Sequence, residues 1–114
     1  KPGAMSGDGA QGVKQTPIIA TSAAAVSSKA LAILRKNNTP VAADFLSGIG
    51  PTLAWWAPEE TSQDELRSST SATVTGLLEE TADHADGSFM AACYKAEAFI
   101  ESWQEQRPFG RPLG

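Results

Sequence analysis

Apolar residues recur along this chain at alternating spacings of three and four, the period of a helix with one buried face. Ile19, Ala23, Val26, Ala30 and Ile33 make the first such stripe, and Phe89, Cys93, Ala96, Ile100 and Trp103 the most regular one. Between them, Leu66, Thr70, Val74, Leu77 and Thr81 keep the same spacing through a stretch, Ser68 to Gly76, whose serines and threonines also suit a strand. Helix is the better reading there, because Leu77 to Ala85 continues in helix-favouring residues.

Start signals agree with this pattern. Thr16-Pro17 and Thr39-Pro40 each offer a capping hydroxyl followed by proline at the first helical position, where a missing N–H costs nothing. Ser62 with Glu65 three residues on is a capping box. Gly87-Ser88 separates a third helix from a fourth, with Gly87 free to take a left-handed conformation. Lys29, Arg35 and Lys36 lie late in the first helix, where the backbone dipole favours cations. The prediction is an all-α class, a compact bundle of four to five helices, with a glycine corner at Gly48 to Pro51 dividing the second.

Length allows one modest core and no more, in a chain of 114 residues. Residues 16–106 are expected to form a single helical domain. Residues 1–15, rich in glycine and without the apolar centre of a signal peptide, read as a tag remnant and flexible lead-in. Residues 107–114, with two prolines and two glycines, read as a flexible tail or linker. Much of the 41% hydrophobic content is alanine, which implies closely packed helices around a thin core. Apolar runs such as Ile18 to Ala25 are too short to span a membrane, so a soluble protein is expected. One cysteine, Cys93, provides neither a disulfide framework nor a thiolate zinc cluster, and is compatible with a reducing cytoplasm.

The corner "FLSGIGPTLA", Phe45 to Ala54, resembles the helix-hairpin-helix motif: a hydrophobic residue, Gly-hydrophobic-Gly, then a short helix with a small residue at its fourth position. The likeness covers Pro40 to Ala57. It implies a module that holds a nucleic-acid phosphate without reading bases, with Gly48, Gly50 and Thr52 supplying backbone N–H groups at a turn and a helix N-terminus.

Charge points elsewhere. Between Lys36 and Lys95 stand nine acids, Asp44, Glu59, Glu60, Asp64, Glu65, Glu79, Glu80, Asp83 and Asp86, against the single base Arg67, a local net of −8. Nucleic-acid affinity comes largely from cations displacing counterions, so this centre disfavours a phosphate backbone and favours a basic partner. Trp55 and Trp56 lie about 100° apart if helical and cannot share a direction. Either both close a small core, or one stays exposed beside Phe45, Leu53, Glu59 and Glu60 and anchors a protein partner's helix.

No catalytic constellation is legible. His84 is the sole histidine, and no GxSxG, Walker or GxGxxG pattern occurs. A Cys93–His84 pair across the turn at Gly87 competes with an inert thiol in an apolar stripe. Glu79 over Asp83 and Glu80 over His84 could line a helix face toward a metal, but lack the spacing of a known metal motif and read as a solvated acidic face. The expectation is a non-enzymatic interaction domain, without cofactor or metal, with the nucleic-acid module as the alternative.

Overall fold

The computed structural model describes residues 1–104. Among them are six helices, α1 (Gly7–Ala10), α2 (Ser28–Lys36), α3 (Asp44–Ser47), α4 (Gly50–Trp56), α5 (Gln63–Ala82) and α6 (Ser88–Glu101), and two short strands, β1 (Ile18–Ile19) and β2 (Val41–Ala42). The class is mostly helical. The strands pair in parallel, Ile18 with Val41 and Ile19 with Ala42, and α2 forms the crossover between them.

Both Thr-Pro pairs lead into strands rather than helices, against the reading of the sequence. A residue before proline is driven into extended backbone, and Thr39 uses its hydroxyl for long-range work instead of capping. It is buried, accepts from the Gln15 N–H at 3.2 Å and donates to the Val13 carbonyl at 3.4 Å. Helix α2 therefore begins at Ser28, capped by the Ser27 hydroxyl, which accepts from the Ala30 N–H. It ends in a left-handed Asn38 (φ 52°), with the Asn38 N–H on the Arg35 carbonyl and the Thr39 N–H on the Leu34 carbonyl. That is the Schellman arrangement, here built on asparagine instead of glycine.

Where a flexible lead-in was expected, residues 1–13 pack onto α2. Ser6 caps α1, Ala10 is fully buried, and Met5 bridges in parallel to Val26. The Asn37 side-chain amide donates to the Val13 carbonyl at 3.2 Å, so the end of α2 clamps this segment in place. The tail expected at residues 107–114 lies outside the described residues.

The core is thin, as the alanine content implied, and it is divided. One cluster joins Ala10, Ala30, Leu34 and Val41, flanked by Met5, Val13, Ile18, Val26, Leu31 and Ile33. The other joins Ala43, Leu46 and Ala92, flanked by Leu77, Leu78 and Phe89. Leu34 is the one large side chain fully buried among the described residues.

Ser68 to Gly76 is helical, inside α5, and the capping box opens that helix: the Glu65 N–H donates to the Ser62 hydroxyl, and the Ser62 N–H to the Glu65 carboxylate. The Ser62 hydroxyl and N–H hold the Glu65 carboxyl below its ordinary value. This contribution is present at neutral pH and fades as pH falls through that lowered value. Ser62→Ala is expected to lower the melting temperature by a few degrees and to flatten its dependence on acid pH, whereas Ser62→Asp should preserve the cap. Thermal melts at several pH values read both.

Gly87, at φ 85° and ψ 156°, occupies a region that side chains rarely adopt, and this sets the approach of α6. Ser88 does not cap. Its hydroxyl donates to the Val41 carbonyl at 2.8 Å and ties α6 to β2.

Candidate functional site

The glycine corner is a short helix-to-helix step. Helix α3 ends as the Gly48 N–H donates to the Asp44 carbonyl at 2.9 Å, and α4 follows after Ile49. Neither corner glycine has a positive φ, and Gly48 (−96°) and Ile49 (−71°) both sit near the right-handed helical region. The corner therefore lacks the paired right- and left-handed residues of one form of backbone anion nest, and the Gly48 N–H is already spent inside α3. Gly48 and Thr52 also line a hollow with the carboxylate-bearing Asp44. Asp44 itself accepts the Ala24 N–H at 2.5 Å and holds the left-handed turn at Ala24 (φ 52°).

Helix α4 buries none of its own residues. Its small face, Gly50 and Ala54, lies along Leu66, Arg67, Thr70, Ser71 and Val74 of α5, leaving a shallow, almost wholly apolar groove of about 450 Å³. Its last turn carries Trp55, 84% exposed, and Trp56, 77% exposed. Neither closes a core. Ala57, in extended backbone ahead of Pro58, stops the helix directly after them. Leu53 is half-buried. Phe45 is exposed and stands edge-on to Phe89 with ring centroids 6.3 Å apart.

The acids divide by use. Asp44 holds the Ala24 turn, Glu65 completes the capping box, Glu80 pairs with Lys95, and Asp86 pairs with Arg35 at 2.8 Å. Glu59 and Glu60, after Pro58, and Asp64, in the first turn of α5, are exposed and make no side-chain hydrogen bond or ion pair among the described residues. Sequence reasoning identified the tryptophans, Glu59 and Glu60 as partner-binding candidates, but not Asp64. It missed the groove, because the stripe of Leu66, Thr70 and Val74 was read as facing a core.

The remaining chemical candidates fall apart in space. His84 lies beyond the end of α5, accepts the Asp86 N–H on Nδ1 at 3.0 Å and tilts against Tyr94 at 5.6 Å. Cys93 has Glu97 and Asp44 as its electrostatic neighbours instead, and burial first, then these carboxylates, pushes its thiol up. Cys93 is accordingly expected to alkylate with iodoacetamide more slowly at pH 8 than a free thiol, and to reach the free-thiol rate in urea; mass spectrometry over time measures both. No three His, Cys, Asp or Glu side chains among the described residues converge to hold a metal. No described helix is long and apolar enough to cross a membrane.

Compared with known proteins, the chain matches no family model, no curated protein and no solved structure.

Proposed function

We infer that the chain is a non-enzymatic interaction domain that docks a basic, amphipathic helix of a protein partner on the α4–α5 face. One observation carries this reading: two consecutive tryptophans, both largely in water, end a helix none of whose residues is fully buried. Tryptophan is the residue most enriched where binding energy concentrates, and leaving two in solvent forgoes the burial that this sparse core needs. The apolar groove between α4 and α5 gives an incoming helix a floor, and the exposed carboxylates of Glu59, Glu60 and Asp64, carried on the segment that joins α4 to the first turn of α5, are available to its cations.

Magnitudes assign the roles. Exposed ion pairs are worth about 0–1 kcal/mol each, whereas a buried interfacial tryptophan is worth about 2 kcal/mol or more. The tryptophans therefore supply affinity, and the carboxylates supply rate and orientation.

Titration with a synthetic Lys/Leu amphipathic helix, followed by tryptophan fluorescence, tests the reading. A blue shift that saturates, with association slowed by added salt, supports it. A short DNA duplex is the parallel arm. If the duplex saturates the signal at physiological salt and the peptide does not, the interaction reading fails and the phosphate-binding alternative at Gly48, Gly50 and Thr52 replaces it.

A further inference from the structure

A second concavity shares no lining residue with the α4–α5 groove. It lies between α2, β2 and the start of α6 and encloses about 430 Å³, within the range of small-molecule sites. Along α2, Ser28, Leu31 and Arg35 stand at helical spacing on its wall, a stripe about 10 Å long at 1.5 Å per residue. Leu31, Val41, Phe89 and Met90 make the body apolar. The wall hydroxyls of Thr39 and Ser88 donate to the backbone carbonyls of Val13 and Val41.

Charge is gathered at one end. The Asp86 carboxylate accepts from Arg35 Nη2 at 2.8 Å on one oxygen and from the Tyr94 hydroxyl at 3.3 Å on the other, so both its oxygens are engaged. Arg35 spends only Nη2 among the described residues. Nη1, Nε and the second N–H of Nη2 keep their donors, so one edge of the planar fork, Nη2 with either neighbour, can still serve a second carboxylate. Arg35 thus carries more donors than Asp86 takes up, and the acceptor that best matches a guanidinium edge is a second carboxylate.

We propose that this groove binds a small monocarboxylic acid with a narrow apolar body, its carboxylate on Arg35 and its chain along Leu31, Val41, Phe89 and Met90. An amine of the same length would have to displace Arg35 from Asp86, and an alcohol would leave the guanidinium edge without its charged partner.

The test is an amide NMR titration of the full chain with octanoate, octylammonium and 1-octanol, each below its micellar or solubility limit. Octanoate is expected to shift the amides of Leu31, Val41, Phe89 and Met90 saturably and to bind more tightly than the other two. Arg35→Gln should weaken octanoate about tenfold, and Leu31→Trp, which fills the groove, should abolish saturation while the rest of the spectrum stays dispersed. Asp86→Asn leaves the guanidinium in place and removes the competing carboxylate, so octanoate affinity should hold or rise. Octylammonium or octanol binding as tightly as octanoate, octanoate shifts that do not saturate, or an Asp86→Asn loss as large as that of Arg35→Gln would overturn the assignment.

Discussion

Leu34→Ala is expected to cost about 3 kcal/mol of stability, within the range of about 2–5 kcal/mol for buried leucine truncations. Leu34 is the one large side chain fully enclosed among the described residues, and its enclosed neighbours are mainly alanines too short to fill the space it would vacate. Its half-buried neighbours Leu31 and Ile33 can move partly inward, which places the cost mid-range. Against a total stability of about 5–15 kcal/mol for a domain, this is a large share. Urea titration should show the midpoint falling with the slope unchanged. A loss under about 1 kcal/mol would mean that Leu34 does not organise the first cluster.

Replacing both tryptophans, Trp55→Ala with Trp56→Ala, is expected to do the reverse: to leave folding almost untouched and remove binding. Each substitution should alter stability by about 0.5 kcal/mol at most, because surface positions are tolerant and alanine is the better helix former. Binding to the amphipathic peptide should weaken by at least a hundredfold, about 2 kcal/mol for each anchor. The two tryptophans thus have opposite signatures under the two readings of the corner. Side chains that close a core would cost about 3–5 kcal/mol each in the same urea titration. Isothermal calorimetry alongside urea titration separates these outcomes in one pair of variants.

The helices that could be read in the sequence are those whose ends are set by local chemistry. Ser62 and Glu65 opened α5 as expected, and Gly87 separated it from α6 as expected, because caps and glycine turns are decided within four residues. Thr16-Pro17 and Thr39-Pro40 looked the same in sequence and behaved otherwise. Their outcome rests on a partner strand and on a buried threonine bonded to residues more than twenty positions away, which no local rule contains. The face of α6 was legible in part: Phe89 packs on the second cluster and Cys93 and Ile100 are half-buried, but Ala96 and Trp103 face solvent and the buried positions are Ala91 and Ala92, since alanines fit where helices approach closely. At the candidate site, residue types were legible and orientation was not. Helical spacing says that Trp55 and Trp56 diverge, but only the position of α4 on α5 shows that both diverge toward water.

The five residues from Pro40 to Asp44 reach into both clusters, Val41 into one and Ala43 into the other. The Pro40 carbonyl takes the Ile18 N–H, the Val41 carbonyl takes the Ser88 hydroxyl, and the Asp44 carboxylate takes the Ala24 N–H. Because this segment is common to both, melting either half disturbs the other, and the two small cores are expected to come apart in a single step, with coincident transitions by tryptophan fluorescence and circular dichroism.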